Sequence, residues 1–205
     1  MQIRTVAYAG TVVKPGQPPP GDLPQIAFSG RSNVGKSSLI NTLLRRTRNK
    51  IARVSATPGK TQALNFYLVN DTFFLVDLPG YGFARVPGPV RAAWRTLIEW
   101  YLGDSGMVRG VVHLVDARRP PTEHDVAMID YLARVGVPAI VVLTKFDKLN
   151  RGQRAKTIAR ASDVLGVDDE QILPFSSRDG EGRETLLAAL EDLLGSGKAE
   201  PEESP

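Results

Sequence analysis

The segment Gly30-Arg31-Ser32-Asn33-Val34-Gly35-Lys36-Ser37 has the spacing G-x-x-x-x-G-K-[S/T]. Such a loop holds phosphate. Glycines at its two fixed positions let the backbone curl until its N–H groups converge on phosphate oxygens. The helix that must follow adds its positive dipole end and further free amides through Ser38. Lys36 is placed to reach the β- and γ-phosphates, and the Ser37 hydroxyl to bind Mg²⁺. Chance glycine-rich turns occur, but this one follows an apolar run, PQIAFS, and opens an amphipathic one, as the chemistry requires.

Asp77-Leu78-Pro79-Gly80 closes another apolar run. A carboxylate there can hold the Mg²⁺ shell through water, and the Gly80 amide can sense a γ-phosphate. Thr144-Lys145-Phe146-Asp147 follows PAIVVL. Asp147 can accept hydrogen bonds from N1–H and the exocyclic amine of guanine. Adenine offers neither donor, and a buried group left unpaired makes such discrimination large. Lys145 can lie along the base and brace the phosphate loop. Phe175-Ser176-Ser177, after QILP, can bring a backbone N–H to guanine O6. Residues 47–62 are polar and breaker-rich, and loops of that length are usually functional. Within them Thr57 and Thr61 are both candidates for a hydroxyl that joins Mg²⁺ only when the γ-phosphate is present, which would make the loop a switch. Their pattern does not choose between them.

The elements follow from hydrophobic periodicity. Leu39, Ile40, Leu43 and Leu44 share one face of a helix over 36–46. ALNFYLV and TFFLVDL are strands joined at Asn70-Asp71, a hairpin-type turn. Helices are expected at 90–102, from a Thr122/Asp125 capping box, at 151–165 and at 181–194. Strands alternating with helices predict an α/β fold of three layers, a P-loop NTPase G domain. Its sheet is mostly parallel and six-stranded, with one antiparallel edge strand and helices on both faces. Every motif falls just after a strand, on the rim where such folds bind ligands. We divide the chain into an N-terminal arm with a Pro/Gly-rich loop (1–22), the G domain (23–195) and a disordered acidic tail (196–205).

Composition narrows the class. There is no cysteine, which excludes disulfides and thiolate zinc sites. No apolar run is long enough to span a bilayer and no signal peptide is evident, so a cytoplasmic protein is expected; separately, it is taken to be a monomer. The net charge is +4, and without residues 196–205 the remaining chain carries 25 basic and 19 acidic residues, or +6. A basic body suits a polyanionic partner such as RNA, and equally a merely basic surface. Arg45, Arg46, Arg48, Lys50 and Arg53 cluster at the first helix end and enter the switch loop, which favours a phosphate-contacting surface over a solvated helix end. His113 reads as a core residue, His124 as solvated, and the Trp94/Trp100 helix as packing.

Taken together, GRSNVGKSSLIN, TPGKTQALNFY, DLPGYGFA, TKFDKL and FSS resemble the EngB family of bacterial ribosome-assembly GTPases over roughly residues 3–194. The most distinctive runs are PGKTQALNFY and DLPGYGFA. The resemblance implies that Gly59, Lys60 and Thr61 border the nucleotide and that Thr61 joins Ser37 on Mg²⁺. It implies binding of GTP and GDP, action on the large ribosomal subunit and its RNA during assembly, and a link to normal septum formation. Arg178-Asp179-Gly180 departs from the usual polar run after FSS. Many small GTPases carry a water-orienting glutamine where this chain has Tyr81, so slow intrinsic hydrolysis is expected. A potassium ion near the phosphates, with Asn33 as a ligand, fits the resemblance. The competing reading is an RNA-binding factor whose nucleotide is regulatory and barely hydrolysed.

Overall fold

A computed structural model describes residues 1–46, 51–52, 63–81, 88–104 and 106–195. One sheet organises them. Its strands are β1 (Val6–Val12), β2 (Gln25–Gly30), β3 (Leu64–Val69), β4 (Phe73–Asp77), β5 (Val108–Asp116), β6 (Ala139–Thr144) and β7 (Ile172–Pro174), in the spatial order β1-β3-β4-β2-β5-β6-β7. From β4 to β7 all pairings are parallel, while β3 pairs antiparallel with both β4 and β1.

The sheet therefore has seven strands, one more than periodicity suggested. The extra strand comes from the N-terminal arm, which is part of the domain. Its alternation is weak because β1 lies at the edge, with most of its side chains partly or fully exposed. Asn70 secures it: its carboxamide oxygen accepts from Arg4 N at 2.7 Å and Thr5 N at 3.2 Å, and its amide donates to Gln2 O at 2.7 Å. Asn70 and Asp71 both have positive φ, 52° and 56°, as a tight hairpin turn of the I′ class requires.

The helices are α1 (Lys36–Leu43), α2 (Gly88–Asp104), α3 (Glu123–Arg134), α4 (Arg151–Leu165) and α5 (Arg183–Gly195). One face of the sheet packs Ile26, Phe28, Val112 and Leu114 against Leu39, Ile40 and Leu43 of α1 and Leu186, Leu187 and Leu190 of α5. The other packs Ala27, Phe66, Val76 and Val111 against Leu97, Ile98 and Tyr101 of α2 and Leu132 of α3. A third cluster joins Val141 and Leu143 to Ile129 of α3 and Ala161 and Leu165 of α4. Trp94 is buried and Trp100 packs against the α2 cluster, the packing role expected of both. β2 is buried along its whole length, its polar Gln25 and Ser29 included.

Helix α1 ends at Leu43, short of the expected Arg46, because Arg45 adopts a left-handed φ of 53°. Arg45 N then bonds Thr42 O at 3.1 Å and Arg46 N bonds Asn41 O at 2.7 Å, a Schellman closure made without glycine. Among the described residues no helix is long and apolar enough to cross a membrane. The segment 196–205, read as an acidic tail, lies outside the described residues, as do Arg48, Lys50, Arg53, Thr57, Gly59, Lys60 and Thr61.

Candidate functional site

The parallel strands deliver their carboxyl ends to one rim. β2 ends on Gly30, β4 on Asp77, β5 on Asp116 and β6 on Thr144. At the centre is the loop between β2 and α1. Gly30 has φ 151°, and a β-carbon there would come within 2.9 Å of Leu114 O. Gly35 has φ 110° and stands just before α1. Asn33 is also left-handed, at 62°. The first helical bond runs from Leu39 N to Gly35 O at 2.8 Å. The amides of Lys36, Ser37 and Ser38 therefore have no helical acceptor, as at any helix start, and a ring of donors faces the mouth. Lys36 Nζ pairs with the Asp77 carboxylate. Both side chains are nearly buried, so two motifs separated by 41 positions are brought into direct contact. Gly80 lies against Ser32: a β-carbon there would stand 2.9 Å from Ser32 Oγ.

Thr144 donates its hydroxyl to Val34 O at 2.6 Å, tying the base end to the phosphate loop. Lys145 has φ 59°, and its ammonium donates to Asn33 O at 2.7 Å and to Asp116 Oδ2 at 2.8 Å. Burial alone would raise the Asp116 carboxyl, but hydrogen bonds from Arg118 and Lys145 outweigh it and hold the group below the usual carboxylate range. Phe146 is buried, with the Arg154 guanidinium 4.9 Å over its ring, and its amide donates to Phe175 O at 3.2 Å.

Asp147 Oδ1 accepts from Ser176 Oγ at 3.2 Å. Its Oδ2 is buried and accepts no hydrogen bond, although the Lys148 ammonium is 3.1 Å away. A buried carboxylate oxygen without a hydrogen-bond donor is what a base presenting two N–H groups would satisfy. Ser176 is held by its own amide on Glu181 O at 3.0 Å, and Ser177 O takes the Thr42 hydroxyl at 3.4 Å.

The described oxygen donors at the phosphate mouth, the Ser37 hydroxyl and the Asp77 carboxylate, suit Mg²⁺. No group of three or more His, Cys, Asp or Glu able to hold a metal occurs among the described residues, and Mg²⁺ usually relies on water and substrate phosphates rather than a protein cage.

Several contributors escaped periodicity and motif reading. Asn41, buried on α1, accepts from Ile51 N and Ala52 N at 2.9 and 3.1 Å and donates to Ser37 O and Ala52 O, both at 2.8 Å. It anchors Ile51 and Ala52, which lie within the loop expected over 47–62. The Arg183 guanidinium caps α1 through Thr42 O and Leu43 O. Arg45, the first residue of the basic cluster, extends to Glu184 at 3.8 Å. His113 is fully buried as expected, yet both its ring nitrogens have polar partners. His124 is exposed.

Fold and rim together define a P-loop GTPase domain. A profile for the family described as 50S ribosome-binding GTPase matches residues 25–145. A protein of Gemmatimonas aurantiaca named Probable GTP-binding protein EngB is 50% identical over 195 residues, 95% of each chain. A protein of the same name from Citrifermentans bemidjiense is 44% identical, covering 99% of this chain and 94% of its own. The solved structure of a probable GTP-binding protein engB superimposes with a TM-score of 0.69 at 24% identity, covering 84% of this chain and 99% of that one. Aquifex aeolicus Era Y63A bound to GDP and AlF4⁻ gives 0.68 at 21% identity, covering 90% of this chain and 61% of that one. At those identities the two structures speak for the fold alone. This chain belongs to the EngB family of GTP-binding proteins and carries its GTPase domain.

Proposed function

We propose that the protein is a GTP-driven molecular switch with slow intrinsic hydrolysis, acting in the cytoplasm on assembly of the large ribosomal subunit and needed for normal division septum formation. The observation that carries the nucleotide reading is Asp147, whose buried Oδ2 lacks a hydrogen bond on the same rim as the amide ring at Lys36–Ser38. Asp147 reads guanine, with Phe175, Ser176 and Ser177 closing around the base. Gly30 to Ser38 cradle the phosphates, and Lys36 exchanges its Asp77 partner for phosphate oxygen.

Ser37 and Thr61 would hold Mg²⁺, with Asp77 in its outer shell. The ion would neutralise charge developing on the transferred phosphoryl group. Gly80 donates its amide to the γ-phosphate, and Gly59 and Lys60 border it. Potassium near Asn33 belongs to the same proposal, and equal turnover in sodium and potassium removes it.

The ribosomal partner is supported by the description of the matched family and by the excess of basic residues. We place its RNA contact at Arg45, Arg46, Arg48, Lys50 and Arg53. The exposed Arg45 side chain, 76% accessible, fits a phosphate contact. A second reading, nucleotide as a regulatory ligand barely hydrolysed, is favoured by the side chain of Tyr81. Its hydroxyl is bonded to Asp125.

The deciding experiment titrates GTP, GDP, ATP and xanthine nucleotides with and without Mg²⁺, then co-sediments the protein with ribosomal subunits in each state. Asp147→Asn should move preference from guanine toward xanthine, and unchanged guanine preference removes the assigned role. Charge reversal at Arg45 and Arg48 should weaken subunit binding at constant GDP affinity. Single-turnover rates with and without large subunits separate the two readings.

A further inference from the structure

Five residues from four elements meet in a buried polar chain next to the phosphate mouth. Tyr81 follows Gly80 directly. Its backbone carbonyl accepts from Ser32 N at 3.0 Å, so the main chain at this position is fastened to the phosphate loop. Its hydroxyl donates to Asp125 Oδ1 at 2.8 Å and lies 3.1 Å from His113 Nε2. The two rings run parallel within 8°, their centroids 6.1 Å apart. His113 Nδ1 meets Ser29 Oγ at 2.8 Å, one residue before the end of β2. Asp125 Oδ2 accepts from Thr122 N and Thr122 Oγ1, both at 2.7 Å, and so forms the N-terminal cap of α3.

A His113 protonated on Nε2 gives every member a partner. Nε2–H faces the Tyr81 and Asp125 oxygens, Nδ1 accepts from the Ser29 hydroxyl, and the Tyr81 hydroxyl donates onward to Asp125. Burial pushes the Tyr81 phenol well up, and the Asp125 charge raises it further against the opposing effect of Arg31, so the hydroxyl keeps its proton. Burial would also raise Asp125, but bonds from His113, Thr122 and Tyr81 overcome it and leave it at about 2, an ionised acceptor. Fully satisfied buried networks of this kind rigidify what they join.

The geometry bears on the position where many GTPases orient water. The Tyr81 hydroxyl is committed to α3 and β5. One residue earlier lies Gly80, packed on Ser32, and one bond away is the Ser32 amide of the phosphate loop. Any displacement of the Gly80 turn must therefore either carry α3 with it or break the Tyr81–Asp125 bond. We propose that Tyr81, His113 and Asp125 form a latch between the γ-phosphate-sensing turn and the start of α3, with Tyr81 a positioning residue that sets preference between di- and triphosphate. The loop Arg118-Arg119-Pro120, leading into α3, then becomes a surface whose position follows the nucleotide. The inference rests on the switch reading above.

The test measures, on the full chain, the ratio of affinities for a non-hydrolysable GTP analogue and for GDP. Tyr81→Phe keeps the stacked ring and removes the bond. It should shift the ratio about fivefold or more, with the sign reporting which form the latch holds. Asp125→Asn, whose oxygen turns to the two Thr122 donors and leaves its amide nitrogen facing Tyr81, should shift it the same way, and the double variant no further than the larger single, because both remove the bond from the Tyr81 hydroxyl to a carboxylate. His113→Gln, whose amide can still donate toward Tyr81 and Asp125, should stay near the wild-type ratio. An unmoved ratio in Tyr81→Phe overturns the latch, as do single shifts that multiply in the double variant. A Tyr81→Phe that slows single-turnover hydrolysis at a constant ratio also overturns it and makes Tyr81 a catalytic residue. If Asp125→Asn does not fold, the Tyr81→Phe ratio alone decides. A wild type that binds no guanine nucleotide overturns the switch reading itself, which is a separate result.

Discussion

The base end and the phosphate end of this rim are held in different ways. At the base end the brace ends mainly on backbone oxygens: Thr144 Oγ1 donates to Val34 O, Lys145 Nζ to Asn33 O and Phe146 N to Phe175 O, with the Lys145–Asp116 ion pair beside them. These bonds use groups that a nucleotide does not need, so they can persist when it binds. At the phosphate end the ionisable groups are paired with one another, Lys36 with Asp77 and Tyr81 with Asp125. In the proposed switch, Lys36 and Asp77 part so that phosphate engages the one and the Mg²⁺ shell the other. A site that must recognise constantly is built on fixed backbone contacts, and a site that must respond is built on pairs that can be traded.

The largest effect that tests this contrast is Asp147→Asn. It removes one of two acceptors at a buried position, and guanine affinity should fall about 10²-fold or more, with GDP and GTP losing equally. Calorimetric titration with both nucleotides checks it. If one nucleotide suffers more than the other, the base end also responds to the phosphate and the contrast fails.

Next is Gly182→Ala. Gly182 has φ 81°, and a β-carbon would stand 2.0 Å from Pro174 O, a backbone atom that cannot move aside. The substitution should cost about 3 kcal/mol and lower the melting temperature by roughly 10 °C. Thermal unfolding by circular dichroism reads it. A drop of under 2 °C would mean that the Phe175–Ser177 segment is less fixed than the base end requires.

Much of this was legible beforehand because it is local. A phosphate loop is a set of backbone angles, and glycines at 30 and 35 announce them. TKFD and DLPG follow short, β-branched or aromatic apolar runs whose length fits strands. Parallel pairing then puts every strand end on the same rim. The overlooked parts are non-local or depend on atypical residues. β1 is an edge strand with little to bury. Arg45 closes a helix where glycine is the usual signal, so its left-handed turn leaves no mark in the composition. His113 and Asp125 are twelve residues apart on different elements, and an apolar strand around a histidine looks like core. Asp125 was visible as a helix cap, but nothing in the spacing shows that its other oxygen faces Tyr81.

The phosphate end also makes a prediction about acid. Asp125 titrates at about 2 in the folded protein, below the ordinary carboxylate value of about 4. Its ionised form is thus the one that stabilises the fold. That contribution is complete above about pH 4 and is lost as the pH falls from there through about 2. Wild type should lose on the order of 1–2 kcal/mol more than Asp125→Asn across this window. Melting temperatures of the two proteins at pH 7, 4 and 3 should converge. Parallel curves would show that the carboxylate is not ionised in the latch, and would make that pair a neutral contact rather than a tradable charged one.

The smallest expected effect separates capping from latching. Thr122→Ala deletes one of two donors to Asp125 Oδ2 and leaves the Thr122 amide on the same oxygen. Loss of a single capping hydroxyl costs about 1 kcal/mol, or roughly 2–4 °C in a chain of this length. The Tyr81 bond goes to the other carboxylate oxygen, so it should survive the change. Hydrogen exchange at the first turn of α3 should quicken while exchange at the DLPG turn stays as in wild type. If both quicken together, the cap and the Tyr81 bond form one cooperative unit. The phosphate end would then trade its partners as a block rather than pair by pair.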